Sequence, residues 1–183
     1  MPKKAIILLA EGFEEIEAVT CIDLLRRAGI DVTVAGLSDI RVKASRGTNI
    51  LADKKLDEAG SDFDACILPG GMPGAANLAG STKVKNLIQK MNSEGKLIAA
   101  ICASPAIVLA PMGILKNKTT TCYPGMQDTF GKDTTYKEEN VIVDGNIITS
   151  RGPATAMEFA LAIVEKLAGK ETADKVRKAA LFS

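Results

Sequence analysis

One cysteine of the chain stands in a setting typical of a catalytic nucleophile. Cys102 follows the apolar run Leu97–Ile101 and precedes Pro105, which suits the first turn of a helix because its missing N–H needs no partner there. Small residues at Ala100 and Ser104 would permit a tight strand-to-helix turn, as glycines do in nucleophile elbows. The positive end of a helix dipole lowers the pKa of a thiol beside it. We therefore predict a reactive thiolate, the alternative being a small structural cysteine of the core.

A glutamate on the first predicted helix has an unusual position. Glu17 shares one helical stripe with four mostly apolar residues, namely Phe13, Cys21, Leu24 and Ala28. Burial in such a row raises the pKa of a carboxyl, and a protonated glutamic acid can donate a hydrogen bond to a thiolate or move protons. The alternative is a side chain at the edge of the helix that reaches solvent. Its neighbours Glu14 and Glu15 are interpreted as first-turn charges that favour the helix dipole.

A glycine-rich loop is the third candidate for a role in chemistry. The apolar run Ala65–Leu68 ends in a Pro-Gly-Gly-Met-Pro-Gly segment that is predicted to be a loop. Gly70 and Gly71 would let the backbone approach a ligand closely and direct N–H groups at it. Together with the N–H of Ala103, this loop could form an oxyanion hole. The alternative is an ordinary loop that uses glycine only for its backbone angles.

Several further residues are weaker candidates for binding. Arg27, Arg46 and Arg151 could bind an anion, although arginines on a surface usually only contact solvent. Cys122 and Tyr123 follow a β-prone Thr-Thr-Thr segment and could face the same site as Cys102.

Composition excludes several classes of function. The 183 residues include 23 Lys and Arg, 22 Asp and Glu, four cysteines and no histidine. The charge balance argues against a nucleic-acid scaffold or an anionic-membrane binder. Without histidine there is no Ser-His-Asp or Cys-His pair, and the dispersed cysteines form neither a zinc ribbon nor a CxxC motif, so we expect no metal. The apolar run Ala5–Leu9 is too short for a signal peptide or a membrane span, which predicts a cytoplasmic protein with reduced thiols.

Short apolar runs alternate with amphipathic helical patterns along the chain. The predicted strands include Ala5–Leu9, Asp31–Leu37, Ala65–Leu68, Leu97–Ile101 and Ile147–Ser150, and the predicted helices include Glu14–Ala28, Val84–Glu94, Thr155–Leu167 and Glu171–Ala179. A further helix is expected to start at Pro105–Leu109. This alternation predicts one α/β domain over residues 1–183, a three-layer α/β/α sandwich with a mostly parallel central sheet. Active sites of such sheets lie at the carboxyl ends of the strands, where Glu11, Gly70 and Cys102 fall.

Four motifs together resemble the ThiJ/PfpI superfamily, whose domain is similar to that of class I glutamine amidotransferases. They are Gly12–Glu17 (GFEEIE), Leu68–Gly71 (LPGG), Ala99–Ala103 (AAICA) and Thr149–Pro153 (TSRGP). The resemblance runs from Ala5 to about Val176 and is greatest to the branch of the parkinsonism-associated protein DJ-one and its bacterial relatives.

The resemblance implies a flavodoxin-like sandwich, usually a homodimer, that needs no cofactor. Its reactive cysteine matches Cys102, and a protonated glutamate that hydrogen-bonds the thiolate matches Glu17. The oxyanion-hole amides match Gly71 and Ala103. Arginines near the site match Arg46 and, from the partner subunit, Arg27.

The activities of the family fall into several classes. They include oxidation of the cysteine to sulfinate, glyoxalase conversion of methylglyoxal to lactate, and deglycase repair of methylglyoxal-modified proteins and nucleotides. Other relatives are chaperones or peptidases.

The chain departs from this family pattern at one position. Where the family usually has a histidine before proline, the sequence reads Cys122-Tyr123-Pro124. A phenol does not shuttle protons at neutral pH as an imidazole does, although it can donate a hydrogen bond. A peptidase is therefore disfavoured.

The leading hypothesis is a cysteine-dependent stress-response enzyme that acts on small dicarbonyls or glycated proteins. In it Cys102 is the nucleophile, Glu17 the acid/base, and Gly70 and Tyr123 bind substrate. The alternative is a redox sensor or chaperone in which Cys102 is oxidised without turnover.

Overall fold

The strands found in the structure reproduce the predicted alternation. A computed structural model describes all 183 residues of the chain. Its strands are β1 (Lys4–Leu9), β2 (Asp31–Gly36), β3 (Arg41–Lys43), β4 (Asn49–Leu51), β5 (Lys54–Lys55), β6 (Ala65–Leu68), β7 (Leu97–Ile101), β8 (Thr119–Thr120), β9 (Thr135–Tyr136), β10 (Val141–Asp144) and β11 (Ile147–Ser150). Its α-helices are α1 (Glu15–Arg27), α2 (Gly74–Ala79), α3 (Thr82–Ser93), α4 (Ala156–Ala168) and α5 (Lys170–Ala179).

Seven strands form the central sheet, in the order β10-β11-β7-β6-β1-β2-β5. Six of them run parallel, and only β10 is antiparallel, because a tight turn at Gly145 joins it to β11. The residues of β6, β7 and β11 are all buried, as expected for strands covered on both faces. Two small sheets, β3–β4 and β8–β9, lie outside the main one.

Helices cover both faces of this sheet, which confirms the predicted sandwich. The first helix, α1, packs against α4, which also contacts α5, while α3 contacts β6 and β7. A core of 51 buried residues fills the space between the layers. None of the helices combines the length and the apolarity needed to span a membrane.

The segment after Cys102 differs from the expected regular helix. Pro105–Leu109 forms a π-helical turn, and a 3₁₀ turn over Ala110–Met112 follows it, ended by Gly113 at φ 72°. Pro111 explains the irregularity, because its ring has no N–H to donate and clashes with the carbonyl four residues earlier in an α-helix.

Candidate functional site

Three loops meet where the parallel strands end, as the sequence predicted. The strands β1, β6 and β7 are direct neighbours with the same direction, so the loops at their carboxyl ends come together. The first loop leads into α1 and Glu17, the second contains Gly70 and Gly71, and the third begins at Cys102.

The backbone at Cys102 has the strained geometry of a nucleophile elbow. Its φ of 64° lies in the left-handed region, which few residues other than glycine adopt. Its N–H donates to the carbonyl of Ser150 at 2.9 Å, and its own carbonyl accepts the N–H of Tyr123 at 2.8 Å. The buried hydroxyl of Ser104 donates to the carbonyl of Pro69 at 2.6 Å, which ties the elbow to the glycine loop. These contacts keep the thiol at the turn between strand and helix.

Glu17 is fully buried, so the prediction of an inward carboxyl is confirmed and the solvent-facing alternative is wrong. Its Oε2 accepts the N–H of Gly70 at 2.7 Å. Its Oε1 is buried without a partner of good geometry, and the carboxyl interacts with the Cys102 thiol strongly enough to perturb the pKa of both groups. Burial raises the pKa of Glu17 to about 7, with the Glu14 carboxylate contributing a smaller part. This carboxyl therefore exchanges its proton near neutral pH.

The pKa of Cys102 moves in the direction opposite to that predicted. Burial is the main cause, and with the charge and hydrogen bonding of Glu17 it raises the pKa of the thiol to about 12. The N–H groups of Gly71 and Ala103 donate toward Cys102 and lower the pKa, but their effect is smaller. The helical segment after Cys102 is short and irregular, so it adds little of the favourable dipole that the sequence suggested.

The two groups must be treated as a coupled pair. Because Glu17 and Cys102 lie together in a buried site, loss of the first proton leaves one negative charge that the pair shares. A carboxylate at Glu17 can accept the thiol proton as the sulfur attacks, after which the protonated Glu17 is available as an acid. The geometry thus supports a thiol activated by a general base.

Close backbone packing explains both glycines of the loop. A Cβ on Gly70 would lie 2.6 Å from the Cβ of Cys102, and a Cβ on Gly71 would lie 2.5 Å from the amide nitrogen of Glu14. Gly71 also has a φ of 84°. The N–H of Gly70 is engaged by Glu17, so Gly70 positions the acid and does not line the cleft, contrary to the substrate contact that we expected. Gly71 and Ala103 remain as the two donors near the sulfur.

An open cleft of about 350 Å³ lies over the thiol. Its lining includes four of the predicted site residues besides Cys102, namely Arg46, Gly71, Ala103 and Tyr123. Tyr123 is half-exposed, and its ring lies close to Gly152.

Other predicted residues lie outside this cleft within the chain. Arg27 is exposed near the carboxyl end of α1, where it pairs with Asp23 at 2.8 Å. Arg151 pairs with Glu138 at 3.3 Å. Cys122 is fully buried and does not line the cleft. No group of three or more Cys, Asp or Glu side chains is arranged to hold a metal ion.

Sequence reasoning missed the role of the two glutamates before Glu17. Glu14 is buried in the cleft wall, and its Oε2 accepts the hydroxyl of Ser45 at 3.0 Å. Glu15 accepts the N–H of Arg46 at 2.9 Å and thereby fastens the loop between β3 and β4 to the start of α1. Acidic residues in the loop that follows β1 at the carboxyl edge of the sheet were a usable signal, but they were interpreted only as charges that favour the helix dipole.

Comparisons with known proteins show the family and the fold of the chain. The model of the DJ-1/PfpI family matches residues 3–166. DJ-1beta of Drosophila melanogaster, whose crystal structure is known, is similar, with 47% identity, full coverage of both chains and a TM-score of 0.96. The structure of oxidized DJ-1 from Toxoplasma gondii has 41% identity, covers 99% of each chain and has a TM-score of 0.95. Glutathione-independent glyoxalase DJR-1.2 of Caenorhabditis elegans is 40% identical over 96% of this chain and 95% of its own.

Proposed function

Because the chain belongs to the DJ-1/PfpI family, we propose that it is a cysteine-dependent, cofactor-free glyoxalase that converts 2-oxoaldehydes to 2-hydroxy acids. The observation that carries this proposal is the buried Glu17 carboxyl, which has a pKa near neutrality and interacts with the elbow thiol of Cys102. A glyoxalase reaction needs a nucleophile and one group that can both accept and return a proton. The relative named a glutathione-independent glyoxalase supports the same assignment.

The first step forms a carbon–sulfur bond. Glu17 accepts the thiol proton while the sulfur of Cys102 adds to the aldehyde carbon, and the π electrons of the carbonyl move to its oxygen. The N–H groups of Gly71 and Ala103 stabilise this oxyanion before Glu17 returns the proton to give a hemithioacetal.

The next steps move a hydrogen between neighbouring carbons. Glu17 takes the proton from the former aldehyde carbon to give an enediol, and a proton returned to the adjacent carbon gives a 2-hydroxy thioester of Cys102. Water then hydrolyses the thioester, which releases the hydroxy acid and restores the thiol. The aldehyde carbon is oxidised by two electrons and the ketone carbon is reduced by two, so no external oxidant or cofactor is required.

Turnover of methylglyoxal tests this proposal directly. We expect wild type to consume methylglyoxal and form lactate in equal amounts, and Cys102→Ala to lose this activity. Cys66→Ala is the matched control, because Cys66 is a buried cysteine of β6 that lies outside the cleft. Equal rates for wild type and Cys102→Ala would contradict the proposal. Release of lactate from glycated peptides in the same assay would extend the activity to deglycation.

A second candidate is a redox sensor, which the oxidized state of the Toxoplasma gondii relative favours. Two equivalents of peroxide would convert the Cys102 thiolate to sulfinate with release of two waters. Cys102 is the one cysteine that lines the cleft, since the other three are fully buried. Mass spectrometry after mild peroxide treatment should therefore find sulfinate on Cys102 first, and oxidation of another cysteine first would contradict this role.

A further inference from the structure

The cleft is larger than the smallest dicarbonyls require. Its volume is about 350 Å³, whereas methylglyoxal has five heavy atoms and takes the space of roughly three waters, or about 100 Å³ at about 30 Å³ each. A substrate of that size, bonded to Cys102, would leave most of the cleft filled with water. The remaining space is therefore available to a larger substituent on the dicarbonyl.

The two sides of the cleft differ in chemistry. On the side of β1 and β2, the lining is polar and consists of Glu14, Ser45 and Arg46. On the side of β11, the lining consists of Tyr123, Met126 and Pro153, and Met72 of the glycine loop after β6 adds an apolar side chain between the two sides. Burying an apolar group against the second wall removes apolar surface from water, which is the main source of affinity in small clefts.

Hydrogen bonds hold the backbone of the apolar wall in place before any substrate binds. The N–H of Tyr123 donates to the carbonyl of Cys102 at 2.8 Å, and the N–H of Met126 donates to the carbonyl of Tyr123 at 3.2 Å. A Cβ placed on Gly152 would lie 3.5 Å from the Tyr123 ring, so the ring lies beside the Gly152 backbone. An aromatic side chain with two torsions loses little conformational entropy on binding, and the flexible Met126 can adapt to the shape of a substituent.

Building on the proposed function, we infer that the preferred substrates are 2-oxoaldehydes with an aromatic or branched apolar substituent. The aldehyde carbon bonds to Cys102, and the substituent packs on the wall formed by Tyr123, Met126 and Pro153. In this arrangement Tyr123 determines specificity through its ring, and the phenol hydroxyl is not required for it.

The test compares phenylglyoxal with glyoxal as substrates of the same enzyme. The readout is the ratio of kcat/KM for phenylglyoxal to kcat/KM for glyoxal, measured for wild type and variants. Because the intrinsic reactivity of the two aldehydes is the same for every variant, changes in this ratio report on the wall alone. We expect Tyr123→Ala and Met126→Ala to lower the ratio about tenfold, since buried apolar groups contribute roughly 10- to 200-fold to specificity.

Two further variants make the outcome decisive. Tyr123→Phe keeps the ring and should keep the ratio, and Val143→Ala, at a similarly exposed apolar residue on β10, should not change it. If the ratio is the same in wild type, Tyr123→Ala and Met126→Ala, the inference is wrong. In that case, Cys102-dependent turnover of glyoxal would still support the proposed function. If wild type consumes neither aldehyde faster than Cys102→Ala does, both the function and the inference are wrong.

Discussion

A single proton shared by Cys102 and Glu17 determines whether the thiol can attack. The pKa of Glu17 is about 7 and that of Cys102 is about 12, both raised mainly by burial. The reactive form of the pair must lose one proton, and Glu17 loses its proton first. Activity should therefore rise as the pH increases through about 7, and it should reach a plateau above that value.

Replacing Glu17 by glutamine tests this coupling. Glutamine keeps the shape and can accept the N–H of Gly70, but it cannot accept the thiol proton. We expect kcat/KM at pH 7 to fall by about 10²- to 10⁴-fold, which is the usual contribution of a general base. The rise of kcat/KM with pH should also move to higher pH, because burial alone still raises the pKa of the thiol. An unchanged profile with its inflection near pH 7 would show that another group is the base.

The stability of Glu17→Gln shows whether its loss of activity comes from the missing general base or from a destabilised fold. In the native state the pKa of Glu17 is raised above its unfolded value of about 4.3, so the folded protein holds this proton more tightly. The associated stability is present below about pH 4 and is lost as the pH rises toward 7. At pH 8 the free energy of unfolding of Glu17→Gln should therefore exceed that of wild type by up to about 3 kcal/mol, so the variant should unfold at a higher urea concentration. Urea titrations at pH 4 and pH 8 measure this difference.

At the scale of the elements, the loop after β6 lies so close to the turn at Cys102 that Gly70 has no space for a side chain. Gly70→Ala would place a Cβ 2.6 Å from the Cys102 Cβ and 2.9 Å from the carbonyl of Ile101. Overpacking of this kind typically costs about 1–3 kcal/mol, and here it also displaces the nucleophile. We expect Gly70→Ala to lower both the free energy of unfolding and kcat/KM.

Gly131→Ala is the matched control for this prediction. Gly131 has no atom within 4 Å of its Cβ position, and neither glycine has a positive φ, so the two substitutions differ mainly in available space. Denaturant unfolding of both variants checks the prediction, and equal stabilities would refute the crowding argument.

The sequence predicts the elements well where a local signal exists. The apolar run of β6 and the turn at Gly145 are local, and both are found as expected. The irregular helix after Cys102 was missed because it depends on Pro111, whose effect extends back to the preceding turn. The roles of Gly70 and Glu14 depend on contacts with residues far away in the chain, which spacing does not reveal. The direction of the Cys102 pKa was wrong for the same reason, because burial outweighs the local dipole.

At the scale of the whole molecule, we propose that the exposed face of α1 contacts a second copy of the chain. Ile16 and Val19 are about half exposed, and with Asp23 and Arg27 they follow the three- and four-residue spacing of one helical face. An isologous dimer that pairs two such faces in antiparallel fashion covers these apolar side chains. Arg27 lies eleven residues from Ile16, about 16 Å along the helix. This pairing would therefore bring the partner subunit's Arg27 close to the start of α1, beside Arg46.

Sedimentation of a charged variant tests this homodimer. Val19→Asp places a carboxylate at the centre of the stripe, and burying it unpaired at an interface is unfavourable. We expect wild type to sediment as a dimer and Val19→Asp as a monomer at the same concentration. Val143→Asp, at an equally exposed valine on β10, should leave the dimer intact. If the partner's Arg27 completes the cleft, Arg27→Ala should remain dimeric but have a raised KM for substrate. A dimer that survives Val19→Asp would mean that the two copies do not meet through α1.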